Sequence, residues 1–217
     1  MRIYAIAFLF IFCAAFVHAD KPKVLIIGDS ISIGYFPFVK EALKDKADVT
    51  HNAGNAQATE KGLTELYKWL SSGHWDIIQF NWGLWDIAYR SPESKVQGNR
   101  DKQNGTITTS PEQYRKNLEA LVARLKKTGA KLIFVTTTYV PKEEAGRFTG
   151  DEIKYNTIAL EVMKQNNIKV NDLYKTSVEV HQKFGLGTDN VHYNETGYKE
   201  LAKQIIKFVE EEINDGK

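Results

Sequence analysis

Short, mainly apolar runs alternate along this chain with longer amphipathic stretches, and that alternation limits the fold more than any other feature. Val24 to Ile27 is one such run, Asp76 to Phe80 a second and Lys131 to Thr137 a third. Val49 to His51 and Ile168 to Val170 are weaker versions. Between them, apolar residues recur at helical spacing. Phe38, Val39 and Leu43 begin one stripe, and Leu63, Leu66, Tyr67 and Leu70 form another. Tyr114, Leu118, Leu121, Val122 and Leu125 form the clearest. Two more run through Ile153, Ile158, Val162 and Met163, and through Leu201, Ile205, Ile206 and Val209. Ser110-Pro111-Glu112-Gln113 reads as a helix start, with serine as cap and proline at the first helical position. Gly129, after Lys126-Lys127, reads as a stop. Strands buried on both faces and separated by helices form parallel sheets, so the expectation is an α/β protein. It should be a three-layer α/β/α sandwich on about five parallel strands.

Two polar segments interrupt this rhythm: Arg90 to Thr109, and Ala145 to Asp151. The first is long for a loop within one domain, and loops of that length are commonly functional or mobile. With 217 residues and no repeat or low-complexity linker, a single folded unit is expected over 20–217. Residues 1–19 are read separately. Met1-Arg2 precedes an apolar stretch from Ile3 to Val17, and a small residue, Ala19, closes it. That is the pattern of a cleaved secretory signal peptide, too short for a comfortable bilayer span. An uncleaved N-terminal anchor is the alternative. The only cysteine, Cys13, lies in this segment, and Phe12 before it argues against a lipid attachment site. The expected protein is therefore secreted or periplasmic, with no membrane attachment after cleavage.

The formal net charge is only +2, and no basic run is present. Nucleic acid is not an expected partner, because phosphate neutralisation needs concentrated positive charge. There is no P-loop, dinucleotide fingerprint or metal-ligand spacing, so no cofactor and no metal are expected.

Chemistry enters at Gly28-Asp29-Ser30-Ile31-Ser32, where the first strand ends. In open α/β sheets ligands sit beyond the carboxyl ends of the strands. Ser30 is thus placed as a nucleophile, with the amides of the following helix near a developing oxyanion. Taken alone, the same serine reads more readily as a helix cap. The second piece is Asp189-Asn190-Val191-His192. Three residues span at most about 10 Å, so Asp189 can reach His192. His192 would take the Ser30 proton while Asp189 holds the imidazole tautomer.

These two blocks, at the first strand and before the last helix, resemble those of the SGNH or GDSL-type hydrolases, over residues 23 to 212. The similarity is greatest to a secreted branch directed at sugar esters, through Asn81-Trp82-Gly83-Leu84-Trp85-Asp86 and Thr136-Thr137-Thr138-Tyr139-Val140-Pro141. The resemblance implies a flavodoxin-like fold, ester hydrolysis through an acyl-serine and no metal. It also implies an oxyanion site made from the second and third blocks, where this chain departs from the pattern. Trp85 stands in the slot of the family's asparagine, and an indole N–H cannot imitate a carboxamide. Asn81 is the candidate substitute. In Asn52-Ala53-Gly54-Asn55-Ala56-Gln57 the backbone donor falls on Gly54 or, by the family's spacing, on Gln57. Loss of one such donor costs about 10²–10³ in turnover. The expected activity is a serine esterase releasing acetyl or similar acyl groups, with an acylated small molecule or glycan as substrate. The alternatives are a carbohydrate-binding protein with weak or lost catalysis, and a lipid esterase or thioesterase. Trp82, Trp85, Tyr89 and Tyr139 are candidates for a sugar platform, and Trp69 and Trp75 for the core or its rim.

Overall fold

A computed structural model describes residues 20–71 and 73–215. The proposed signal segment, with Cys13, lies outside the described residues. Five parallel strands form the central sheet: β1 (Lys23–Ile27), β2 (Asp48–His51), β3 (Ile77–Phe80), β6 (Lys131–Val135) and β7 (Lys169–Asn171), in the order β2-β1-β3-β6-β7. A small antiparallel ribbon, β4 (Tyr89–Arg90) with β5 (Thr106–Ile107), projects from the long polar segment. The helices are α1 (Ser30–Leu43), α2 (Thr59–Leu70), α3 (Pro111–Lys126), α4 (Asp151–Gln165), α5 (Leu173–Phe184) and α6 (Glu195–Asn214). α1, α6 and α5 pack side by side on one face, and α2, α3 and α4 on the other. This is the three-layer α/β/α sandwich that the alternation of runs implies. Among the described residues, no helix is long and apolar enough to cross a membrane.

The central strands are the driest. Ile77, Ile78, Gln79 and Phe80 of β3 are all buried, and Val24 to Ile27 of β1 likewise. Burying each such aliphatic side chain contributes about 1.5–3 kcal/mol. Helix ends follow the sequence signals. Ser110 accepts a hydrogen bond from the Gln113 N–H at 3.2 Å and Pro111 opens α3. Gly129 takes φ +75° after α3, a conformation that favours glycine.

Helix α2 is capped from a distance. Its N-cap, Ala58, has no side-chain acceptor. Instead the buried Asp86 carboxylate accepts from the Thr59 N–H at 3.0 Å and from Thr59 Oγ1 at 2.6 Å. Asn117 of α3 donates to the same hydroxyl at 3.0 Å. Asp86 therefore ties the loop after β3 to the start of α2, and that loop carries Leu84 and Trp85. Burial pushes the Asp86 carboxyl up from 3.8 to about 6, although the Thr59 and Thr109 hydrogen bonds oppose the rise. The folded state thus holds this proton more tightly than the unfolded state. The resulting stability is complete below 3.8 and is lost as pH rises through about 6. Asp86→Asn cannot titrate, so the melting temperature of the wild type relative to this variant should fall between about pH 4 and pH 7. Thermal melts of both proteins across that window check it; a constant difference would refute the assignment.

Candidate active site

The turn from β1 into α1 is shaped by three side chains. Gly28 lies so close to Ser32 that an added Cβ would sit 2.6 Å from its Oγ. The Gly28 N–H donates to Asn52 Oδ1 at 2.9 Å, which fixes the strand end to the next loop. Asp29 caps α1 by accepting from the Ile31 N–H at 2.9 Å. Ser30 is then the first residue of the helix, half-buried, with its N–H among those that a helix start leaves without an intrahelical acceptor.

His192 approaches from the other end of the chain. Its Nε2 lies 2.9 Å from Ser30 Oγ across a separation of 162 residues. The residue behind the imidazole is not Asp189, as the spacing suggested, but Asn190. Asn190 Oδ1 accepts from the His192 N–H at 3.0 Å and sits 2.7 Å from His192 Nδ1. The first contact is an Asx turn, which folds the side chain back over its own backbone two residues on. The same turn brings Oδ1 to the ring and leaves Asp189 exposed, outside His192's hydrogen bonds. The geometry also fixes the tautomer. A backbone N–H can only donate, so the Asn190 atom that meets it is the oxygen. Nδ1 must then carry the hydrogen, and Nε2 presents its lone pair to the Ser30 hydroxyl. His181 holds this turn from beneath, its Nε2 lying 2.7 Å from the Asn190 carbonyl oxygen. Burial, followed by repulsion from Arg147 and Arg100, holds the His192 pKa below 6.5, while Glu144 opposes the shift.

A second serine–histidine pair lies underneath. Ser32 Oγ is 2.7 Å from His51 Nε2, and His51 Nδ1 donates to the Asn52 carbonyl at 2.9 Å. Ser32 is 3% exposed, and neither partner reaches the cleft described next.

Ser30 and His192 open into a cleft of ≈ 470 Å³. Its walls carry Asn55, Trp85, Arg90, Arg100 and Arg147. The expected oxyanion donors are largely elsewhere. Asn81 donates one Nδ2 hydrogen to the Val135 carbonyl at 2.7 Å, joining the ends of β3 and β6, and is not part of the cleft wall. Gly54 is exposed and also off the wall. Gln57 adopts φ +50°, and its N–H donates to Asn55 Oδ1 at 2.8 Å. That bond spends the backbone donor and orients Asn55. With its oxygen held, Asn55 keeps its Nδ2 hydrogens for a ligand in the cleft. Asn55 lies within the block Asn52 to Gln57, but nothing in the spacing distinguishes it there. Of the aromatic candidates only Trp85 lines the cleft, with the Arg90 guanidinium 4.7 Å from its ring centroid. Trp82 is buried against Gly62, Tyr89 packs on Phe148, and Trp69 and Trp75 are buried in the core.

Three comparisons bear on this arrangement. The model of the GDSL-like lipase/acylhydrolase family matches residues 26–200. Among solved structures, the lipase/acylhydrolase from Enterococcus faecalis is 22% identical over 88% of this chain and 96% of that one, with a TM-score of 0.70. The acetyl xylan esterase AlAXEase is 21% identical over 86% and 99%, with a TM-score of 0.68. Axe2, an acetylxylan esterase from Geobacillus stearothermophilus, is 17% identical over 88% and 94%, also at 0.68. At those identities the likeness is one of fold. No curated protein matched the chain in sequence. The family match spans the turn that carries Ser30, the cleft walls and His192, and on that ground the chain belongs to the GDSL-like lipase/acylhydrolase family and is a carboxylic ester hydrolase.

Proposed function

We propose that this protein is an exported serine esterase that releases small acyl groups, acetyl foremost, from carbohydrate esters. The observation that carries the reading is the 2.9 Å contact between Ser30 Oγ and a histidine nitrogen whose lone pair faces it. Ser30 Oγ attacks the ester carbonyl and passes its proton to His192 Nε2. The Ser30 N–H and Asn55 Nδ2 receive the oxyanion. The imidazolium then gives its proton to the departing sugar alkoxide, leaving an acyl-serine. Water, deprotonated by the same nitrogen, attacks that ester, and carboxylic acid leaves as Ser30 recovers its proton. The fold likeness to two acetyl xylan esterases supports the acyl and sugar parts of the reading. Export rests on the pattern of residues 1–19.

The direct test is acetate release from acetylated xylo-oligosaccharides and from 4-nitrophenyl acetate. Failure with every acetyl ester would sink the proposal. A second reading, glycan binding with little catalysis, draws on the neutral Asn190 behind His192 and on the place of Asn81 off the cleft wall. It predicts that measured failure together with oligosaccharide binding. A lipid esterase needs an apolar acyl groove, and three arginines on the cleft wall do not supply one.

The pH profile follows from His192. Only the neutral imidazole accepts the serine proton, so activity is lost as pH falls through its pKa. Burial and the two arginines hold that value below 6.5. The acid limb of kcat/KM should therefore have its midpoint below 6.5. A midpoint above it in the free enzyme would contradict the geometry around His192.

A further inference from the structure

The cleft beside Ser30 holds more positive charge than ester hydrolysis requires. Arg90 comes from β4, Arg100 from the far side of the long polar segment, and Arg147 from the loop before α4. Two carboxylates stand near them. Glu144 is fully buried and committed: Oε1 accepts from Arg147 at 2.9 Å and from Arg100, and Oε2 from the Gly146 N–H at 2.7 Å. Asp29 is buried at the helix start, where Oδ1 accepts from the Ile31 N–H. Burial favours its protonated form, although Arg147 opposes that. Three guanidinium groups thus face at most two carboxylates, each already serving the backbone.

The arginines are also held in place, unlike solvated surface side chains. Arg147 is 4% exposed and donates through Nε to the Leu84 carbonyl at 2.6 Å. Arg100 donates through Nε to the Gln97 carbonyl at 3.1 Å. Arg90 donates through Nε to Thr108 Oγ1 at 3.3 Å and through Nη1 to the Gly98 carbonyl, with its plane over Trp85. In all three, Nε and Nη1 are used and Nη2 has no partner among the described residues. Crowding three like charges in one cleft costs free energy, and burial of Arg147 adds to that cost. An anion bound among the free Nη2 groups offsets both. A guanidinium with one edge fixed is a preorganised donor for a carboxylate or sulfate oxygen.

We propose that Arg90, Arg100 and Arg147 form an anionic subsite, so that the favoured substrates are acyl esters of acidic sugars with a carboxylate or sulfate near the acylated hydroxyl. The ester part rests on the reading above, and the subsite does not. Trp85 lines the same cleft, with the Arg90 guanidinium over its ring.

Calorimetry on the full-length Ser30→Ala protein separates the two. The probes are an O-acetylated methyl glucuronoside, the matching methyl glucoside and the 6-sulfate of that glucoside. Both charged ligands should bind about ten-fold or more tightly than the neutral one at low ionic strength. Added salt should narrow the gap, because the cleft is open to solvent. Arg90→Gln should narrow it too, and Arg100→Gln is the second variant, since it leaves Glu144 paired with Arg147. The tighter of the two charged ligands identifies the group. Equal affinity for all three, or binding of none, overturns the subsite. A charge preference in binding, in an enzyme that hydrolyses no acetyl ester, overturns the esterase reading and keeps the subsite. Hydrolysis of the neutral and acidic esters with equal kcat/KM overturns the subsite and leaves the esterase reading.

Discussion

Ser30→Ala should lower kcat/KM for acetyl esters by about 10⁴-fold or more, whereas Ser32→Ala should keep activity within several-fold of wild type. Two serines, two apart, each meet a histidine at hydrogen-bond distance, and distance alone does not choose between them. Exposure and proton counting do. Ser30 is half-buried on the cleft and its hydroxyl faces a bare Nε2. Ser32 is buried under the turn, and its Oγ also lies 2.8 Å from the Asp29 carbonyl oxygen. A hydroxyl has one proton, and here two acceptors compete for it. His51 cannot relieve that, because its Nδ1 hydrogen is committed to the Asn52 carbonyl. The lower pair therefore braces the turn, and an ester carbonyl has no path to it. Its removal should appear in stability, at about 1 kcal/mol, more than in turnover. Steady-state kinetics of both variants, with mass spectrometry of fluorophosphonate-labelled enzyme, decide the matter. A label on Ser32, or an active Ser30→Ala, would refute the assignment.

The parts of the fold that the sequence made legible are those where burial is greatest. β1, β3 and β6 occupy the centre of the sheet, and their runs are mostly apolar. The weaker runs at Val49 and Ile168 lead into β2 and β7, the two edges, where one side of the strand has less to bury. Helix α5 escaped because its buried positions are Leu173, Ser177, Val180 and His181. Their spacing is helical, but two of the four are polar, so no apolar stripe marks it. In the site, Ser30 and His192 were readable because strand ends and helix starts set where they point. The oxyanion candidates were not, since a donor is defined by what else it bonds. Asn81 is tied to Val135 and lies off the cleft wall, and Gln57 loses its N–H to Asn55, through contacts that spacing does not show. The two polar segments were recognisable as interruptions, but the β4–β5 ribbon inside the first was not, and the convergence of their arginines on one cleft depends on tertiary folding.

Asn190 shows the same limit and leads to the second large effect. Asn190→Ala should lower kcat/KM by about 10²–10³-fold, while Asp189→Ala should change it little. Asn190 Oδ1 is the acceptor that keeps the hydrogen on Nδ1 of His192. Without it the ring is free to rotate or to move its hydrogen to Nε2, where it can no longer take the serine proton. Asp189 is three residues away, but the Asx turn leaves its carboxylate exposed, where solvent screens it. Asn190→Asp sharpens the test. A carboxylate at that position keeps the acceptor and adds a negative charge beside the imidazole. Opposite charge favours the protonated ring, so the His192 pKa should rise and the acid limb move to higher pH. Turnover should rise as well, because the imidazolium formed during attack is then neutralised by a partner that asparagine lacks. Profiles of kcat/KM against pH for the three variants give each answer separately. If Asp189→Ala proves the damaging change and Asn190→Ala the mild one, the imidazole is held in solution by the acid three positions back, and the turn described here is not the working arrangement.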